Sequence, residues 1–199
     1  MTKTVERELD LRTVKLDRGA HSPDGEFCFM EAAAYIAGEE WTDHPKCVSS
    51  VIGAFLRSWN DSLADKTRQK LKPFIRKVLN TSASTEVEQV RAWMACDWLV
   101  RTFTPTWLRK AGLDDQAAAL EALPELTSSE LAEAAMPAIR EAKSRADAVG
   151  DACWAAVGDA AWAAARDAAR AAARDGLEST VLVLQASAHD LFRRMIVAT

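Results

Sequence analysis

Residues 21–61 hold two of the three histidines and two of the four cysteines of the chain, in the order His21, Cys28, His44, Cys47. The pattern is His-x6-Cys, a helix-sized gap, then His-x2-Cys. Thiolate sulfur and imidazole nitrogen are ligands that zinc takes in tetrahedral geometry, so these four are candidate metal ligands with zinc as the expected ion. Glu31, one helical turn after Cys28, and Asp43, next to His44, are candidates for orienting a histidine; Glu31 could also ligate. Closed by four protein ligands, the site would hold the fold together. With a position open, it would activate a bound water. The same atoms allow a different chemistry. Cys28 at a helix start, where the dipole lowers a thiol pKa, with His44 or His21 as base and Glu31 or Asp43 as its orienter, would make a cysteine-dependent hydrolase. A plainer account makes the histidines turn residues and the cysteines small buried apolar groups, and CxxC pairs are absent.

The elements that would hold these residues are helical. Leu9, Leu11, Val14 and Leu16 alternate weakly, which predicts a short edge strand or an extended arm, and His21-Ser22-Pro23-Asp24-Gly25 reads as a turn. Helical spacing of Phe27, Met30 and Ala34 predicts a first helix over 27–38, stopped by Gly38, with Cys28 in its first turn. Pro45 suits the opening of a second helix to about Leu63, with Val48, Val51, Ile52, Phe55, Leu56 and Trp59 inward. Asn60 and Asp61 near its end read as a cap or as a pocket lining. A helix over 65–80 is predicted to kink at Pro73, and Thr85-x-x-Glu88 has capping-box spacing ahead of a helix ending near Phe103, before Pro105. Shorter helices follow at 106–110 and 114–123. Cys96 and Cys153 are expected in the core.

From Thr127 the composition shifts to alanine, whose helix propensity predicts long helices. Asp147, Asp151, Asp159, Asp167 and Asp175 share a four-residue register, with Trp154, Trp162, Arg166, Arg170 and Arg174 in a second register, one residue ahead of it. Four residues turn an α-helix by about 400°, so each stripe drifts about 40° per step. A break near Pro137 or Gly150, a bend, or a winding environment is therefore expected. So is an antiparallel pairing with residues 178–198. Arg166, Arg170 and Arg174 form a candidate interaction surface, although a solvated face with local Asp/Arg pairs is the plainer account.

The charge balance narrows the partners. A formal charge of −4 and a pI near 5.5 argue against a general nucleic-acid ligand, which would need a basic surplus. The 49% hydrophobic and 27% charged content is that of a globular chain. No run of about 18 uncharged apolar residues suggests a membrane span, and the charged N-terminal stretch has no secretory pattern. A cytoplasmic setting is expected, in which the four cysteines would not form a disulfide framework.

His21-Ser22, Asp24-Gly25, Cys28-x-Met30-Glu31-Ala32, Ala37-Gly38-Glu39, Asp43-His44-Pro45-x-Cys47, Asn60-Asp61 and the Ala92-Trp93 to Trp98-Leu99 stretch, followed by the Ala/Trp/Asp/Arg tail, resemble an uncharacterised family of actinobacterial and bacteriophage proteins. One departure is Pro23, at a position more often acidic or polar there. The resemblance implies a bacterial or phage setting and carries no activity with it. Together these readings give an all-α expectation: a compact helical domain over 1–124 with a His/Cys metal site, and an Ala-rich helical hairpin or bundle over 125–199. The expected function is non-enzymatic binding, zinc-stabilised and bacteriophage-associated, with a protein partner; the alternative is a metal- or cysteine-dependent hydrolase using Cys28, His44 and Glu31.

Overall fold

A computed structural model describes residues 7–23, 25–156 and 183–198, with side chains described outside 150–156. Among these residues all regular structure is helical, apart from one isolated parallel bridge between Leu16 and Phe27. The N-terminal arm thus contributes a single bridge rather than a strand, fixed by the Asp17 N–H on the Phe27 carbonyl at 2.8 Å. The helices are α1 (Phe29–Ile36), α2 (Ser50–Ser62), α3 (Asp65–Arg68) with a 3-10 continuation (Gln69–Lys77), α4 (Thr85–Trp98) with a π turn (Leu99–Phe103), α5 (Thr104–Lys110), α6 (Asp114–Glu121) and α7 (Ser129–Ala156). Residues 183–197 are also helical.

The chain forms two compact units. The first comprises residues 1–92 and 194–199, the second residues 93–193. The expected Ala-rich region over 125–199 includes residues 157–182, which lie outside the described residues, as do Trp162 and the Asp159, Asp167 and Asp175 register positions.

In the first unit α1 is the buried centre, because its residues Phe29, Met30, Ala32, Ala33, Ala34 and Ile36 are almost entirely out of solvent. Small side chains on one face let neighbours approach closely, and Ile52 and Leu56 of α2 and Leu71 and Ile75 of the 3-10 segment complete the core. Gly38, at φ 73°, ends the first helix in the left-handed conformation that only glycine adopts without strain. The expected helix over 65–80 is corrected in form. Pro73 cannot give an N–H and crowds the preceding turn, and the segment around it winds as 3-10.

The second unit is organised around Leu108, Ala117, Leu120 and Ala142, with Val100, Leu113, Leu123, Ala138 and Ile139 packed on them. Pro105 does not stop the chain from being helical. It sits in the first turn of α5, where a missing N–H costs nothing, and the preceding π turn absorbs the change of phase. α7 runs unbroken through Pro137 and Gly150. No helix among the described residues is long and apolar enough to cross a membrane.

Candidate ligand cleft

α2 is placed by charged side chains from outside it, one at each end. At its start Ser49 is the N-cap, its Oγ accepting from the Ile52 N–H at 3.2 Å. The Glu88 carboxylate adds a second cap, accepting from Ser49 Oγ at 2.7 Å, Ser50 Oγ at 3.1 Å and the Val51 N–H at 3.2 Å. At its end the fully buried Arg68 donates Nε to the Asn60 carbonyl at 2.8 Å and Nη2 to the Leu63 carbonyl at 2.6 Å. An anion at the N-terminus and a cation at the C-terminus both oppose the helix dipole, so the placement is favourable at each end. Burial would raise the Glu88 carboxyl, but the Ser49 hydroxyl, the Val51 N–H, the Ser50 hydroxyl and the Arg91 charge outweigh it and hold it below the usual range.

The loop before α2 and the start of α2 enclose a cleft of about 390 Å³, of the size of small-molecule sites. Its polar wall is His44, Lys46, Arg57, Ser49, Ser50 and Ser82, and Glu88 is the only acid in that wall among the described residues. Glu88 is already paired with Arg91 at 2.9 Å. His44 Nδ1 lies 2.6 Å from Asp43 Oδ1, which leaves the Nε2 side of a largely exposed ring for a ligand. Arg57 Nη1 donates to the Asp43 carbonyl at 3.0 Å, so the guanidinium is held beside the same dyad. Neither Lys46 nor Arg57 forms an ion pair among the described residues.

The residues read from sequence as a metal quartet have separate hydrogen-bond roles. Cys28 lies just before α1 as its N-cap, not in its first turn, and its Sγ accepts from the Glu31 N–H at 3.4 Å. Glu31 answers as a capping box, Oε2 accepting from the Cys28 N–H at 2.7 Å. The same buried carboxylate takes the His21 N–H at 2.5 Å and pairs with His21 Nδ1 at 2.8 Å. Burial pushes the Cys28 thiol up to about 12, so it carries almost no thiolate at neutral pH. Cys47 lies elsewhere. Glu39 accepts from the Lys46 N–H at 2.7 Å and the Cys47 N–H at 2.8 Å, and burial, helped by the Glu39 charge, raises the Cys47 thiol to about 11. Burial alone would raise Glu39 too, but these donors and the Lys46 charge hold its carboxyl below the usual range.

Among the described residues no three of His21, Cys28, His44 and Cys47 bring ligand atoms within 4.8 Å of one another. Asp17, His21 and Glu26 do. Both carboxylates of that trio already face cations, Asp17 meeting Arg68 at 3.3 Å and Glu26 meeting Lys15 at 3.6 Å. Sequence reasoning missed Glu39 and Glu88 as anchors, because each works on backbone distant from its own turn. The one signal was the spacing of Glu88 from Thr85, which pointed to a cap on its own helix; Glu39 sits among other polar residues and carried none. Arg166, Arg170 and Arg174 lie outside the described residues, as do the side chains of Cys153 and Trp154; Cys96 is half-buried rather than fully in the core. Comparison with known proteins gave no match to a family model, a curated sequence or a solved structure.

Proposed function

We propose that this chain is a non-enzymatic binding protein whose first unit takes a small ligand bearing an oxyanion, a carboxylate or a phosphate, in the cleft at the start of α2. The observation that carries the reading is the pair Lys46 and Arg57, two cations without an ion-pair partner among the described residues, facing a cavity whose single carboxylate is already matched by Arg91. Oriented hydrogen-bond donors and an excess of positive charge favour an anion, and a guanidinium can meet a planar oxyanion with two parallel N–H groups. His44 and the hydroxyls of Ser50 and Ser82 supply further polar contacts around the rim.

Binding needs no reactive group here, and the nearby sulfur chemistry points the same way. A hydrolase built on Cys28, His44 and Glu31 would require a thiolate from a group whose pKa is about 12, and an orienting carboxylate that His21 and Cys28 already occupy. The cleft walls are set by Glu39, Glu88 and Arg68 through hydrogen bonds, so the proposed role does not depend on a metal.

Titration calorimetry with sodium acetate and with inorganic phosphate tests the proposal and separates the two oxyanions. At least one is expected to bind, and Lys46→Gln and Arg57→Gln are each expected to weaken it by about ten-fold, the loss of roughly one charge-assisted contact. Failure of both anions to give a saturable signal, or equal affinities in the wild type and both variants, would overturn it.

A further inference from the structure

Arg57 takes its place in the cleft wall because the helix beneath it carries no side chain there. Gly53, one turn earlier in α2, is buried and lines the same cleft. A Cβ built on Gly53 would stand 3.3 Å from Arg57 Nη1 and 3.5 Å from the terminal methyl of Met30. The half-buried guanidinium thus lies where a side chain at position 53 would begin, with Nη1 tied to the Asp43 carbonyl at 3.0 Å and no hydrogen-bond partner for Nε or Nη2 among the described residues. Gly53 sits inside a regular helix and its φ is not positive, so the backbone does not require glycine. Inside a helix glycine costs stability relative to alanine, and the space it leaves for Arg57 is the compensating gain.

His44 says which oxyanion. Its Nδ1 lies 2.6 Å from Asp43 Oδ1, and a carboxylate only accepts, so Nδ1 carries a proton and Nε2 is the atom left for a ligand. In a neutral ring Nε2 accepts, and in an imidazolium it donates. An ionised carboxylate meets only the imidazolium, since it has no proton to give. A terminal phosphate meets both forms: as P–OH it donates to the neutral ring, and as P–O⁻ it accepts from the imidazolium, one proton being shared in either case. The charge facing the cavity agrees. Lys46 and Arg57 have no paired carboxylate, and Glu88 is matched by Arg91. Glu39 and Asp43 stand outside the wall, the first on the N–H groups of Lys46 and Cys47, the second on His44. Two unmatched cations suit a dianion, whereas a carboxylate leaves one of them over.

We propose that the oxyanion of the cleft is a terminal phosphate, free or at the end of a small molecule, with His44 sharing its proton, Lys46 and Arg57 meeting its charge, and Gly53 as the positioning residue for Arg57. The proposal rests on the anion reading of the cleft and narrows it. A phosphodiester, with one charge and no P–OH, satisfies neither feature. At about 390 Å³ the cleft has room beyond the phosphate for a small organic group.

The test is titration calorimetry of the full chain at neutral pH with methyl phosphate, dimethyl phosphate, inorganic phosphate and acetate. Methyl phosphate is expected to bind at least about ten-fold tighter than acetate or dimethyl phosphate, each of which lacks one charge-assisted contact. Inorganic phosphate as tight as methyl phosphate identifies the free ion as the ligand, and a weaker response identifies an ester; either supports the terminal phosphate. His44→Ala, at a side chain 65% exposed, should keep the melting temperature and the acetate affinity while weakening methyl phosphate about ten-fold. Gly53→Ala should hold or raise the melting temperature, because alanine favours a helix, and yet weaken methyl phosphate at least about three-fold. Acetate or dimethyl phosphate binding as tightly as methyl phosphate overturns the phosphate assignment and leaves the anion reading standing, whereas no saturable response to any of the four overturns both. Wild-type affinity for methyl phosphate in His44→Ala removes the shared proton from the account, and in Gly53→Ala it removes the positioning role.

Discussion

Glu31, Glu39 and Glu88 each gather donors from backbone that is remote or turned away from their own helix, and each is at least half out of solvent. Hydrogen bonds to a charged acceptor are the strong kind, worth about 1.5–3 kcal/mol where the group is sheltered. Three such anchors fix the two loops that flank α1 and lead into α2, the task that the cysteines and histidines were expected to perform through a metal. Cys28 is the clearest instance. With its thiol at about 12, against 9.0 for an ordinary cysteine, the native protein at pH 8 holds a thiolate fraction on the order of 10⁻⁴, and the unfolded chain about one tenth. Iodoacetamide is therefore expected to label Cys28 at least a hundred-fold more slowly in native protein than in urea, as read by peptide mass spectrometry; equal rates would show an ionised, accessible thiol. Because the folded pKa is the raised one, stability tied to this thiol is intact below pH 9 and declines as pH climbs from there towards 12. The spacing Cys28-x-x-Glu31 was visible in the sequence, but a cysteine in the place usually held by serine or threonine suggests a ligand before it suggests a cap. The geometry gives it the second role.

At the scale of the element, α2 carries the cleft, and Glu88 and Arg68 fix its two ends while Ile52, Leu56 and Trp59 bury its apolar face. Burial works against the Glu88 charge, but its hydroxyl, N–H and Arg91 partners outweigh that cost and keep its folded pKa below the usual 4.5. A depressed carboxyl contributes stability that is full above the unfolded value and is lost as pH falls through the folded one. Glu88→Gln is accordingly expected to lower stability at neutral pH by about 1–2 kcal/mol. It should also flatten the decline of the urea midpoint below pH 4.5. A variant that lost stability as steeply as the wild type over that range would place the acid sensitivity elsewhere. The second helix was legible from Ile52, Leu56 and Trp59, whose spacing marks its buried side, and Ser49 stands at the cap that starts it. Its start came out several residues late, because Pro45 signals where a helix can begin and cannot say that Glu39 holds residues 46 and 47 in a loop. Glu88 illustrates the same limit. Its spacing from Thr85 fitted a local capping box, yet the carboxylate caps α2 instead, a pairing set by tertiary packing over 37 residues of chain.

At the scale of the whole molecule, the first unit is discontinuous in sequence: residues 194–199 belong with 1–92. Helical periodicity reports which face of a segment is apolar and carries no information about which distant segment will meet it, so this closure could not be read beforehand. Arg91 makes the connection. Nearly buried, it donates Nε to the Met195 carbonyl at 2.8 Å, Nη2 to the Ala198 carbonyl at 3.2 Å and Nη1 to the Thr81 carbonyl at 2.7 Å, while pairing with Glu88. The carbonyls at a helix end have no partner within the helix, and a guanidinium there matches both their hydrogen bonds and the negative end of the dipole. Since Glu88 also caps α2, one ion pair joins the last helix, through Arg91, to the helix that bears the cleft. Arg91→Met should then cost about 2–3 kcal/mol, and removal of residues 194–199 a comparable amount. Because both changes break the same contacts, their combination should fall short of the sum by at least about 1 kcal/mol in a double-mutant cycle measured by urea unfolding. Strict additivity would mean that Arg91 and the chain's last residues stabilise the unit independently, and the link from helix end to cleft would then have to run through packing alone.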